Sequence, residues 1–240
     1  MKILKQIIDK DFIKVTKEDY DNVLVITGKE GSGKSNLMLH IIDYWLYKLN
    51  GGVRQEDIKF IAMDEHEFKA SLGGLKKYEP LGFDEASIYN NKSFMTQTNK
   101  TITNAFTIIR GNNNFIIFCL PNFFDLDAYF KKFRTRGLIY VSHKKYFAFY
   151  NPNDIIKLLR EYKKTENPIQ PFYKVRPTYP RETFPRYDGV LSEEYTKRKL
   201  AKIERAKKEL LGIDENVNNI QDDYKNIIDR FSNRFTNLAN

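Results

Sequence analysis

Hydrophobic and polar positions along the chain alternate between two periods. Residues 22–27 (NVLVIT) form a continuous β-branched run ending at Gly28, the pattern of a strand buried on both faces. Over 35–49, Leu37, Ile41, Ile42, Trp45 and Leu46 recur at helical spacing, and Gly51-Gly52 ends the helix. A second strand is predicted over 57–63 (DIKFIAM), a short helix over 65–75, and a third strand over 81–83 leading into Asp84. A polar loop at 87–93 precedes a helix predicted to run to Arg110. Residues 114–120 (NFIIFCL) make the most hydrophobic strand. After a helical stretch at 124–133, residues 137–142 and 146–150 read as a hairpin turning at Lys144-Lys145. A further helix is predicted over 152–164. Residues 1–21 are amphipathic and lysine-rich but show no clear period.

Strands alternating with helices predict an α/β fold, a three-layer sandwich around a mainly parallel sheet closed by an antiparallel edge. Composition then changes: five of the eight prolines stand at 168, 171, 177, 180 and 185. Such a segment resists regular structure and reads as an extended strap or linker. From Ser192 the pattern is helical and charged to about Leu211, and again over 216–235. The predicted organisation is a core at 1–165, a Pro-rich strap at 166–190 and a helical C-terminal appendage at 191–240. In the appendage Leu200, Ile203, Leu210 and Leu211 are possible apolar anchors. A basic helix here could lie on DNA or dock on a portal or a neighbouring subunit; if it instead packs on its own domain, Tyr195, Tyr224, Phe231 and Phe235 are ordinary packing residues.

Charge and composition narrow the function classes. Between Lys131 and Arg186, 14 Lys and Arg stand against 4 Asp and Glu, a net of +10, while the rest of the chain carries 26 against 27. A localised cationic surface is what a polyanion requires; a solvated lysine-rich face is the plainer alternative. The single cysteine, Cys119, excludes an internal disulfide framework and a cysteine-built metal site, and reads as an inert core residue. Three scattered histidines (His40, His66, His143) argue against a zinc enzyme. No apolar run approaches the roughly 18 residues of a membrane span, and the N-terminus lacks a signal-peptide pattern. The expectation is a reducing, cytoplasmic compartment.

The strongest chemical signal is Gly28-Lys29-Glu30-Gly31-Ser32-Gly33-Lys34-Ser35, a match to G-x-x-x-x-G-K-[ST] between a predicted strand and a predicted helix. Glycines let backbone N–H groups face a β-phosphate, and the helix N-terminus, with Asn36 in its first turn, adds a favourable partial charge. Lys34 is placed to bridge β- and γ-phosphates and Ser35 to ligate Mg²⁺, so ATP and Mg²⁺ are the expected cofactors.

Asp84 and Glu85 end the third predicted strand. Asp84 would hold the metal through water, and Glu85 would act as general base toward the attacking water. A lone Asp would suit a kinase or GTPase equally well; the pair favours an ATP hydrolase. Asn122, at the tip of the 114–120 strand, is a sensor candidate, with a turn-forming asparagine as the competing reading. Arg110, Arg134 and Arg136 are candidates for an arginine finger offered to a neighbouring subunit; a DNA phosphate or an acidic helix end is the alternative partner. Of these, Arg110 is favoured.

These pieces resemble the additional-strand, catalytic-glutamate P-loop ATPases, and among them the HerA/FtsK-like DNA-pumping group. The block Arg110-Gly-Asn-Asn-Asn-Phe-Ile-Ile-Phe-Cys-Leu-Pro-Asn is similar to that group's arginine, hydrophobic strand and polar sensor. The stretch FFDLDAYFKKFRTRGLIYV, followed by a Lys-Lys turn and YFAFY, resembles small viral and plasmid ATPases, some of them packaging motors and others zonular-occludens-toxin-like. The likeness covers roughly 20–150. It implies Lys34 and Ser35 as Walker A residues, Asp84 and Glu85 as the Walker B pair and Asn122 as sensor. The family's sensor is more often Gln, Ser or Thr, and here a proline precedes it. The resemblance also implies a homo-oligomeric ring that threads double-stranded DNA and hydrolyses ATP between subunits. Genome packaging would add a portal or capsid partner. An assembly or export ATPase of the zonular-occludens-toxin type, and a nucleotide-switched replication adaptor with little turnover, are the alternatives.

Overall fold

The structure, a computed structural model, describes residues 1–16, 18, 22–53, 58–84, 111–142, 145–189 and 191–210. Among them seven strands form one mixed sheet in the order β2-β3-β4-β1-β5-β6-β7. These are β1 (Asn22–Thr27), β2 (Ile61–Ala62), β3 (Pro80–Asp84), β4 (Phe115–Leu120), β5 (Gly137–Val141), β6 (Tyr146–Tyr150) and β7 (Glu182–Thr183). The first five run parallel; β6 adds antiparallel to β5, and β7 antiparallel to β6. Every residue of β1, β3, β4 and β5 is buried, as parallel strands covered on both faces require. The predicted α/β architecture and hairpin are therefore present. The predicted 57–63 strand narrows to Ile61–Ala62 behind a 3-10 turn, Ile58–Phe60, because β2 pairs only briefly with β3 at the sheet margin.

The helices are α1 (Lys2–Ile7), α2 (Lys14–Thr16), α3 (Lys34–Leu49), α4 (Glu65–Gly74), α5 (Pro152–Thr165), α6 (Gln170–Lys174) and α7 (Ser192–Leu210). Helix α3 lays Leu37, Met38, Ile41, Ile42, Trp45 and Leu46 on the sheet. Trp45 stacks on Phe115 with ring centroids 4.2 Å apart, and its Nε1 donates to the Tyr78 carbonyl at 2.9 Å. Gly82 lets α3 approach β3: a Cβ there would stand 2.6 Å from Met38 Sδ and 2.8 Å from Ile42 Cδ1.

The N-terminal segment is helical although its sequence shows no clear period. Leu4, Ile8, Phe12 and Thr16 are buried at four-residue steps. In a straight α-helix that spacing drifts by about 40° per step. A π-helical stretch, Ile8–Ile13, widens the turn and keeps the stripe on the core.

The chain divides into two units, Met1–Tyr195 and Thr196–Asn240. Of the second, the described residues are 196–210, the continuation of α7. The segment read as an extended strap holds two regular elements. Pro171 falls within the first turn of α6, where its missing N–H costs nothing, and β7 is an edge strand between Pro180 and Pro185. Side chains staple this segment to the neighbouring helices. Thr178 donates to Asp154 Oδ2 at 2.7 Å, Tyr179 to Asp11 Oδ2 at 2.8 Å, and Glu182 accepts from the first-turn amides of α1. Among the described residues, no helix is long and apolar enough to cross a membrane.

Candidate phosphate-binding site

Strand register decides what meets at the C-terminal edge of the sheet. β4 lies between β1 and β3, with Thr27 opposite Leu120 and Asp84 opposite Cys119. The loop after β1, the carboxylate ending β3 and the Pro121-Asn122 turn after β4 therefore share one edge, where ligands of open parallel sheets bind.

The loop 28–33 curls back before α3. Gly28, Gly31 and Gly33 all take positive φ, at 149°, 72° and 100°. At Gly28 the space is also closed, since a Cβ would stand 2.3 Å from the Val141 carbonyl oxygen. Gly33 is the N-cap of α3 and offers no side chain to its first-turn N–H groups. Lys29, Glu30 and Gly31 are exposed at the rim. The Ser32 hydroxyl is buried without a hydrogen-bond partner, a donor inside the loop that an acceptor would satisfy.

Lys34, only 4% exposed, folds its ammonium into the loop, donating to the carbonyls of Gly28 at 2.7 Å and Lys29 at 2.9 Å. A buried charge requires such partners. Ser35 Oγ donates to Asp84 Oδ1 at 3.0 Å, and Tyr195 donates to Asp84 Oδ2. Asp84 is itself 2% exposed. The Asn36 side chain faces the 185–187 backbone, donating to the Pro185 carbonyl at 2.8 Å and accepting from the Tyr187 N–H at 2.6 Å.

The donor set fits a Mg²⁺–triphosphate. Among the described residues no cluster of three His, Cys, Asp or Glu could cage a metal alone. A serine hydroxyl beside one carboxylate suits a hard cation that keeps its waters and takes phosphate oxygens. The unpartnered Ser32 hydroxyl and the three positive-φ glycines of the loop leave side-chain and backbone donors for the anion.

The structure divides the remaining candidates. Glu85 and Arg110 lie outside the described residues, as do the predicted loop at 87–93, the helix leading to Arg110 and the helix at 216–235. Asn122 follows β4, but its amide serves its own turn: Oδ1 accepts from the Phe124 N–H at 3.1 Å and Nδ2 donates to Asp125 at 2.8 Å. Arg134 lies over the Tyr129 ring, 5.6 Å from its centroid. Arg136 precedes β5, and its N–H bonds the Val23 carbonyl at 2.9 Å. That is the opposite end of the sheet, the length of β1 or about 17 Å away from the loop. Cys119 is buried in β4.

Tyr195 extends the sequence reading. It is buried in the core as a packing residue is, and its hydroxyl also touches the carboxylate at the centre of the site. The two residues are 111 positions apart. The available signal was a tyrosine four residues after buried Leu191 on a charged helix.

The cationic excess of 131–186 is only partly surface. Lys131 is half-buried and donates to the Phe124 carbonyl, and burial lowers its pKa. Six exposed cations instead line an open groove of about 750 Å³ beside α5 and α6: Lys157, Arg160, Lys163, Lys164, Lys174 and Arg176, around the single acid Glu161. A hydrogen bond from Lys164 holds Glu161 below the usual carboxylate range. No protein-family model matches the chain, and no curated protein matches it.

Proposed function

We propose that the chain is a Mg²⁺-dependent ATPase of the additional-strand P-loop type that couples hydrolysis to movement of double-stranded DNA. One observation carries the reading: the 28–35 loop, the Lys34 ammonium and the Ser35–Asp84 pair converge at the C-terminal edge of a parallel sheet. The position of β4 between the loop strand and the Asp84 strand supports the additional-strand form. In this reading the amides of 31–36 and the Lys34 ammonium hold the β- and γ-phosphates of ATP. Lys34 exchanges its loop carbonyls for phosphate oxygens. Ser35 would ligate Mg²⁺ and Asp84 would hold its water shell; when bound, the ion neutralises phosphate charge.

Glu85, the residue after Asp84, takes the proton of the attacking water. The water oxygen bonds to the γ-phosphorus as the bond to the β–γ bridging oxygen breaks, releasing ADP and inorganic phosphate. Arg110, or Arg134 or Arg136, would complete the site of a neighbouring subunit in a homo-oligomeric ring. A sensor role for Asn122 requires it to give up both bonds within its turn.

The DNA partner is supported by the six-cation groove, since phosphate neutralisation supplies most sequence-independent affinity. Genome packaging, with a portal or capsid partner, is the biological setting this reading favours. The test is steady-state ATP turnover with Mg²⁺ at low salt, with and without double-stranded DNA, for wild type and Glu85→Gln. DNA-stimulated turnover that Glu85→Gln abolishes while nucleotide still binds is the expected result. Turnover indifferent to DNA would replace DNA with a protein partner, and its absence would leave a nucleotide switch.

A further inference from the structure

A segment distant in sequence from the glycine-rich loop lies against it at several points. The Phe184 ring stands 3.3 Å from where a Cβ on Gly33 would be. The Pro185 carbonyl and Tyr187 N–H clamp the Asn36 amide, and the Tyr187 ring meets His40 edge-on at 5.0 Å. Beyond it, Leu191, just before α7, and Tyr195, in its opening turn, are buried, and Tyr195 reaches Asp84. Residues 184–189 and 191–195 thus touch Gly33, Asn36 and Asp84, which belong to both halves of the candidate site.

The Asp84 contact has directional content. An aspartate carboxylate turns easily about its last torsion, whose preference is broad and two-fold. Here two donors on opposite oxygens fix it: Ser35 on Oδ1 and Tyr195 on Oδ2. Oδ1 faces the hydroxyl that would ligate the metal, while Oδ2 is held from the other side. The phenol is suited to hold it permanently. A tyrosine hydroxyl ordinarily ionises only at about pH 10, so it donates at neutral pH.

We propose that Tyr195 is a positioning residue for the metal side of the nucleotide site: it keeps Asp84 Oδ1 turned toward Ser35, so that tight Mg²⁺–nucleotide binding depends on the seating of residues 184–195. The proposal rests on the nucleotide-binding reading above. Partners that orient carboxylates around a metal typically contribute 10–100-fold to metal affinity or activity. Tyr195 does so without touching metal or phosphate, and therefore acts only on the Mg²⁺-dependent part of binding.

The test uses the full chain and the fluorescent nucleotide mant-ATP, titrated once with Mg²⁺ and once with EDTA. Wild type is compared with Tyr195→Phe, Asp84→Asn and the double variant. For Tyr195→Phe the affinity gain conferred by Mg²⁺ shrinks about tenfold, while affinity in EDTA stays within about twofold. In the Asp84→Asn background the same substitution costs less than in wild type, because the contact with the carboxylate is gone and only the one with Ser35 remains. An unchanged or larger Mg²⁺ gain in Tyr195→Phe overturns the proposal. So does an equal loss with and without Mg²⁺, which marks a purely structural residue, and so does full additivity with Asp84→Asn. A wild type that binds no mant-ATP in either condition overturns the nucleotide reading itself, and the proposal with it.

Discussion

Ser35 donates to Asp84 across 49 positions of sequence, at 3.0 Å, because α3 starts directly after the β1 loop and β3 stops one residue short of the end of β4. The pair joins the glycine-rich loop and α3 to the strand that ends in Asp84. Removing the hydroxyl leaves a buried carboxylate short of one donor, a penalty of about 1–3 kcal/mol. Ser35→Ala is therefore expected to lose stability of that order, and combining it with Asp84→Asn to lose less than the sum. Urea unfolding of the four proteins measures the coupling, expected at about 1 kcal/mol. Strict additivity would mean that the two side chains do not share a bond in solution.

Gly28 and Gly82 are both closed to a side chain, for different reasons. At Gly28 a Cβ meets a backbone oxygen at 2.3 Å and the residue needs φ near 149°. At Gly82 it meets the far ends of Met38 and Ile42, which can shift. Gly82→Ala should cost about 1–3 kcal/mol and keep nucleotide binding. Gly28→Ala should cost more and lose it. Trp45, the single tryptophan and fully buried on Phe115, supplies the fluorescence signal for unfolding.

His40 makes stability fall on acidification. Burial lowers its pKa from 6.5, outweighing the Pro185 carbonyl 3.1 Å from Nε2 and the Asp43 and Asp188 charges, which favour the cation. The unfolded chain thus takes up the proton first. Stability present above about pH 6.5 is lost as pH falls through the lower folded value. His40→Gln should lose less stability than wild type between about pH 7.5 and about pH 5.5. An identical loss would show that His40 does not contribute to the acid limb.

The groove beside α5 and α6 predicts a salt signature. Each neutralised phosphate contributes about −0.9 to the slope of log affinity against log salt. Reversing Lys157, Arg160 and Lys174 to Glu should weaken binding of a double-stranded DNA duplex. It should also reduce the magnitude of that slope by about 0.9 for each phosphate left without its cation. ATP binding should be unchanged. A slope that does not move would place DNA on another surface.

Much of this could be read from the sequence because the signals were local. β1, β4 and the β5–β6 hairpin are continuous apolar runs, and the glycine-lysine-serine pattern sits between strand and helix as its chemistry demands. Gly82 interrupts an apolar strand for a reason only the fold shows, the close approach of α3. Less legible were features set by tertiary contact. The π turn at Ile8–Ile13 hides the N-terminal period, Glu182 caps α1 from 180 residues away, and Tyr195 meets Asp84 through a segment that composition marks only as proline-rich. Asn122 shows the limit of motif reasoning: its position suits a sensor, while its amide makes the hydrogen bonds of a turn.

The central claim is that the 28–35 loop holds a triphosphate through Lys34. Equilibrium titration of ATP with Mg²⁺ into wild type and Lys34→Ala tests it most directly. Saturable wild-type binding that weakens about 10–100-fold in the variant, as removal of a charge-assisted hydrogen bond requires, is the predicted result. Equal binding by both proteins, or none by the wild type, would contradict it.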